Sequence, residues 1–189
     1  MNQNKIASSF MLLFACACTQ GVPVTVEAFE KDAPRIVEAL DNLGKVARID
    51  LEISVAEPPD DFPSEFDVDS SFSSLSVDHG EITVYGFQKL TREDGEFVNG
   101  VTSGVRNSTA MNPKCTRHVG LGMEDLESAE DLQLAVNLMF GVELGVEGEE
   151  RPDTALWFYA DEAELEYMSL SQLEAFEKAA DIYSRRCGG

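Results

Sequence analysis

The side chains with the most chemistry to offer in this sequence are four cysteines, two histidines and a few bases, set among 35 aspartates and glutamates. Cys115 lies just ahead of Arg117 and His118, with Arg106 and Lys114 upstream. A cysteine close to a histidine is the pairing that makes a thiolate nucleophile, and it is also half of a zinc site. The other parts of either site are missing. The second histidine is the distant His79, and the chain has no Cys-x-x-Cys or His-x-x-x-His spacing. Asp67, Asp69, Ser71, Ser73 and Asp78 follow the ligand spacing of an EF-hand loop, which would surround a hard cation with oxygen. Phe72 stands where that loop needs its turn glycine, and Asp78 is too short to replace the bidentate glutamate. Asp67, Asp69 and Asp78 are therefore a weak calcium candidate, and no metal site or cofactor is assigned. Gly-x-Ser-x-Gly, the P-loop, His-Glu-x-x-His and Gly-x-Gly-x-x-Gly are all absent. No catalytic residue is singled out, because so many carboxylates do not identify an acid/base pair.

Two of the four cysteines belong to the first twenty residues. Met1–Lys5 is polar with one positive charge, and Ile6–Ala15 is apolar apart from Ser8 and Ser9. Such a run is too short to span a bilayer as a finished helix, which takes about 20 residues. Residues 1–15 read as a signal peptide. Leu13-Phe14-Ala15-Cys16 resembles a bacterial lipobox, in which the cysteine receives lipid and becomes the mature N-terminus. The resemblance implies a bacterial lipoprotein with Cys16 modified, or Cys18 through the overlapping Ala15-Cys16-Ala17-Cys18. Residues 16–24 would be the lipidated N-terminus and tether, and residues 25–189 a single domain. No acid follows the cysteine directly, which by the same resemblance leans toward the outer membrane, facing the periplasm or the surface. Cleavage after Ala17 without lipid would instead give a secreted protein.

Export places the chain in an oxidising compartment, where cysteines pair. With Cys18 as anchor, Cys115 and Cys187 remain as one even pair, and a disulfide between them is expected. From Phe97 to Met123 there is no acid, while Cys187 follows Arg185 and Arg186. The bond would gather Arg106, Lys114, Arg117, His118, Arg185 and Arg186 into one patch for a carboxylate, a phosphate or an acidic partner. The competing reading is that these bases neutralise acids of the same fold.

The chain as a whole has 14 Lys and Arg, for a net charge of −21 over 189 residues. Loss of the leader removes Lys5 and no acid, leaving −22. That sign argues against nucleic acid, whose phosphates need a basic face. It also argues against anionic lipid headgroups as an attracting surface, so membrane contact is assigned to the N-terminal lipid. It suits a basic protein or a cationic envelope component.

The elements that must position these groups are read from periodicity. Thr25–Leu43 carries apolar residues at spacings of three and four, predicting a helix that either kinks at Pro34 or starts near Asp32 and ends at Gly44. Val46–Glu57 alternates, predicting a strand. Ser74–Val77, Glu81–Leu90 and Phe97–Val105, with turns at Asp78-His79-Gly80 and Asp94-Gly95, predict an antiparallel meander. Asn107–Gly122 reads as irregular. Ser128–Phe140 and Leu170–Arg186 predict two further helices, and Thr154–Tyr159 and Glu164–Met168 short strands. The expected class is α+β, an antiparallel sheet covered on one face by about three helices. The expected function is a lipid-anchored cell-envelope protein with a binding or structural role. An envelope inhibitor or immunity-type protein against a basic hydrolase, and a hydrolase using carboxylates, are the alternatives.

Overall fold

The structure, a computed structural model, describes residues 21–67, 82–91, 100–104, 115, 117–144, 146 and 170–187. Strand β1 (Val22–Ala28) comes first. Val22, Val24, Val26 and Ala28 point to one face and are all buried, with Pro23, Thr25 and Glu27 on the other. Helix α1 (Ala33–Ala47) follows, with Pro34 in its first turn, where a missing N–H costs nothing. The expected helix over 25–43 is thus divided: residues 25–28 are strand, and the strand also takes residues 22–24 from the expected tether. The helix does not stop at Gly44. It runs on to Ala47, Arg48 adopts a left-handed conformation (φ 56°), and the Ile49 N–H donates to the Gly44 carbonyl at 3.0 Å. Strand β2 (Leu51–Ala56) then returns beside β1 in parallel register, Val22 opposite Leu51 and Val26 opposite Val55.

The remaining strands are β3 (Glu65–Asp67), β4 (Ile82–Phe87), β5 (Lys89–Thr91), β6 (Gly100–Gly104) and β7 (Arg117–Gly122). Five of them form a sheet in the order β2-β1-β4-β7-β6, and β3 pairs with β5 in a separate ribbon. β2, β1, β4 and β7 are parallel, and only β6 runs antiparallel, against β7. The antiparallel meander expected from the sequence is not formed. The segments that seemed to be consecutive hairpin strands, β4 and β6, are separated in space by β7. The reason lies in two central strands whose local pattern is masked. The apolar positions of β1 merge with the three-and-four spacing of α1, and β7 reads Arg-His-Val-Gly-Leu-Gly, with a charged start and two glycines that weaken any strand signal.

A parallel pair needs a crossover rather than a tight turn, and α1 supplies it between β1 and β2. α1, α2 (Ala129–Leu144) and α3 (Leu170–Cys187) share one core with Val24, Val26, Ile82, Val84, Val119 and Leu121 of the sheet. α2 begins at an expected cap: the Asp131 N–H donates to Ser128 Oγ at 3.0 Å, and Ser128 Oγ donates to the Asp131 carboxylate at 2.6 Å. Phe176, Ala180 and Tyr183 bury the inner face of α3. The other face of the sheet holds a smaller aromatic core of Phe66, Tyr85 and Phe87 with Leu90 and Phe62. Among the described residues, no helix is long and apolar enough to cross a membrane.

Ile36 of α1 and Ala28 of β1 pack tightly over Gly86. A Cβ there would lie 2.7 Å from Ala28 Cβ and 2.8 Å from Ile36 Cδ1. Gly86→Ala is therefore expected to destabilise the fold by about 1–3 kcal/mol through overpacking, read as a lower denaturation midpoint in urea at unchanged slope.

Candidate functional site

The Cys115–Cys187 disulfide is formed, with the two Cα atoms 5.3 Å apart. It ties the last turn of α3 to the chain just ahead of β7. The Tyr183 hydroxyl adds a hydrogen bond to the Cys115 carbonyl across the same junction. Closing 72 residues into a loop restricts the unfolded chain by about 4 kcal/mol in chain-entropy terms. Around this junction lies a cavity of ≈ 400 Å³. Its apolar wall is the disulfide, Leu144 at the end of α2, and Ala179, Ile182 and Tyr183 of α3. Arg117, Glu143 and Arg186 supply its charged groups.

The charges are not equivalent. Arg117 Nε lies 3.4 Å from Glu143 Oε2, and the Glu143 side chain is only 5% exposed against 23% for Arg117. Glu143 sits in the last turn of α2, where the helix dipole already favours a cation and the helix supplies no base of its own. Arg117 reaches that helix end from the neighbouring strand. Arg186 is exposed and lines the cavity from α3. Arg185 instead pairs with Asp181 on the outer side of α3, at 2.8 Å.

His118 does not join this group. Successive strand residues face opposite sides of a sheet, so His118 points away from Arg117 into the aromatic side. It is fully buried and stacked on Tyr85, ring centroids 5.7 Å apart. Burial pushes its pKa from 6.5 down to about 4, so it carries no charge at neutral pH. Arg106 and Lys114 lie outside the described residues. Of the six bases expected in one patch, the cavity therefore brings together Arg117, which pairs with Glu143, and Arg186. Glu143 and Tyr183 are partners that the sequence reading did not name. The helix expected over Ser128–Phe140 stops short of Glu143, whereas α2 runs on to Leu144, so the sequence reading carried no signal that placed this acid at a helix end.

In parallel sheets, ligands commonly sit outside the carboxyl ends of the strands where the strand order reverses. Here that point lies between β1 and β4, and rings occupy it. Phe62 stacks on Phe87 at 5.3 Å, and Phe29 meets Phe62 edge-on at 5.6 Å. The cavity lies instead at the amino end of β7, beneath the ends of α2 and α3.

Among the described residues no group of three or more His, Cys, Asp and Glu is placed to hold a metal ion. Asp67 is exposed at the end of β3, while Asp69, Asp78 and the two serines of the calcium frame lie outside the described residues, as do Cys16 and Cys18. A second charged feature is more extensive. Asp50, Glu52, Glu57, Asp60, Asp61, Glu65 and Asp67 are all exposed, with no Lys or Arg between them in the sequence. Asp50 and Glu52 lie at the start of β2, the outermost strand at that side of the five-stranded sheet, Glu57, Asp60 and Asp61 in the loop after it, and Glu65 and Asp67 on β3.

The buried imidazole makes stability depend on pH. Between about 4 and 6.5 the unfolded chain binds a proton that the folded His118 refuses, so stability is full above about 6.5 and falls toward pH 4. The loss expected from this group approaches about 3 kcal/mol. Urea denaturation at a series of pH values should show a shallower loss over that window in His118→Phe than in the parent.

No family model matches this chain and no curated protein is significantly similar to it, so function is read from the site itself.

Proposed function

We propose that this chain is a lipid-anchored binding protein of the bacterial cell envelope, engaging a basic protein or a cationic envelope component through its acidic sheet edge. The observation that carries this reading is the strip from Asp50 to Asp67, seven exposed carboxylates without an intervening base: Asp50 just before β2, Glu52 on it, Glu57, Asp60 and Asp61 in the loop after it, and Glu65 and Asp67 on β3. Charge of one sign held on a sheet edge steers an oppositely charged partner into contact, and salt screens the effect. Arg35 is engaged by Asp32 and Arg117 by Glu143, away from the strip, while Lys89, opposite Glu65 in the β3–β5 pair and 3.4 Å from Glu124, places one base beside the far end of the strip. The lipobox-like Leu13–Cys16 segment supports the anchor. The Cys115–Cys187 bond agrees with an exported chain, since disulfides persist in oxidising compartments.

Mass spectrometry of the protein from a bacterial membrane fraction should find a thioether-linked diacylglycerol on Cys16 or Cys18; an unmodified N-terminus would refute the anchor. For the binding surface, a ten-residue oligolysine is a suitable probe. Binding by the mature chain should weaken at least about tenfold between 50 and 300 mM salt. The variant Glu52→Gln, Asp60→Asn, Asp61→Asn, Glu65→Gln should lose most of it. The equally neutralised Glu38→Gln, Asp41→Asn, Glu130→Gln, Asp131→Asn should keep it. Equal loss in both variants would mean that net charge alone, and not the strip, attracts the probe.

A further inference from the structure

We infer that the outer edge of β2 is a docking site for an extended polypeptide segment of alternating basic and apolar residues, taken up as an additional strand of the five-stranded sheet. The inference rests on the acidic strip as the attracting surface, and it adds the chemistry and the conformation of what binds there.

The backbone register comes first. β2 pairs with β1 in parallel, Val22 opposite Leu51, Val24 opposite Ile53 and Val26 opposite Val55. The Val22 N–H donates to the Asp50 carbonyl at 2.8 Å. In a parallel ladder that bond sets the phase. The N–H and C=O groups of Glu52 and Ser54 face β1, and those of Leu51, Ile53 and Val55 face outward. Among the described residues no strand pairs with that outer side. A row of outward donors and acceptors is a template for one more strand. The six residues of β2 make it about 20 Å long.

The side chains then select the occupant. Val22, Val24 and Val26 belong to the core shared with the helices, so Leu51, Ile53 and Val55 opposite them lie on the same face. Leu51 and Ile53 are half-buried against that core, and Val55 is 58% exposed. Apolar residues at the matching positions of an added strand would extend this row and cover Val55. The alternate positions are held by Glu52 and, just ahead of the strand, Asp50, both exposed. Glu52 Oε1 accepts the Gly21 N–H at 3.1 Å, a neutral donor that leaves the carboxylate its charge. Lys or Arg on the added strand matches these two acids. A second copy of β2 would bring its own Asp50 and Glu52 to the edge, and like charges oppose that pairing. Alternating apolar and basic residues are the chemistry that fits both faces of the edge.

The probe is the end-blocked peptide Lys-Val-Lys-Val-Lys-Val-Lys, titrated into the mature chain beside Lys-Lys-Lys-Lys-Val-Val-Val of the same composition. The alternating peptide should bind at least about tenfold more tightly. Its binding should slow amide hydrogen exchange at Leu51, Ile53 and Val55, while Glu52 and Ser54, already bonded to β1, change little. Val55→Pro removes an outward N–H and no bond to β1, a place where an edge strand tolerates proline. That variant should fold and bind the alternating peptide at least about tenfold more weakly, with oligolysine binding unaltered. Equal affinity for the two peptides, or unchanged exchange at Leu51, Ile53 and Val55, would overturn the inference; if oligolysine still binds, the acidic strip stands as an attracting surface without strand addition. Failure of oligolysine to bind would overturn the strip as an attracting surface and this inference with it. Slow exchange at Leu51, Ile53 and Val55 in the free chain would also overturn the inference, because the edge would already be paired within the chain or by a second copy. If Val55→Pro does not fold, amide exchange in the parent and the comparison of the two peptides decide the matter.

Discussion

Parallel pairing on both sides of β1 is the constraint from which most of this architecture follows. β1 hydrogen-bonds to β2 and to β4, both in parallel. A chain cannot reach a parallel neighbour by a two-residue turn, so it must cross the sheet and come back. α1 makes that crossing between β1 and β2, and its apolar stripe of Ile36, Leu40 and Leu43 is buried as a result. α2 and α3 extend the same layer, so the helices occupy one face. The opposite face is left to be covered by the β3–β5 ribbon and its aromatic residues. The cavity is a by-product of this layering. It lies where α2 and α3 both terminate beside the amino end of β7, and the disulfide holds that corner together.

Electrostatics divides along the same lines. Where a base meets the layered core, it is tied to a nearby carboxylate or carbonyl. Arg35 shows the pattern: it pairs with Asp32 at its own helix start and donates to the Glu127 carbonyl at 2.9 Å, joining α1 to the approach of α2. Asp32 is only 4% exposed, so Arg35 compensates a buried carboxylate as well as joining these elements. The Arg117–Glu143 pair is of the same kind, and either partner alone would leave an uncompensated charge in a largely dry corner. Glu52 of β2 accepts a hydrogen bond from the Gly21 N–H at 3.1 Å, and the acids of the loop beyond β2 are exposed.

Much of the fold was legible locally and little of it was legible topologically. α2 and α3 follow from apolar spacing and, in α2, from the Ser128–Asp131 cap. β2 follows from the alternation of Leu51, Ile53 and Val55, although as an outer strand it leaves Val55 58% exposed. The disulfide follows from cysteine parity in an oxidising compartment. β1 was hidden because Val26, which closes the alternation of Val22 and Val24, also stands three residues before Phe29 and so joins the helical spacing that continues into α1. β7 was hidden by its two glycines. Without those two strands the rest reads as antiparallel, since parallel partners are distant in sequence. The misreading of His118 is a direct consequence. In a segment read as irregular, nothing separates it from Arg117, whereas in a strand it must turn to the opposite face. Arg117 and Arg186 near the disulfide were legible from charge placement, but the carboxylate that engages Arg117 belongs to another element and has no local signature.

The covalent link between Cys115 and Cys187 also has a bearing on survival outside the cell's reducing interior. It closes a ring containing β7, α2 and α3, which together carry much of the helical layer. A peptide bond cut anywhere within that ring leaves the two pieces joined through sulfur. Such a nick separates neither α3 from the sheet nor the two walls of the cavity. In a compartment shared with proteases, this corner of the protein can therefore tolerate damage to its backbone and still persist as one molecule.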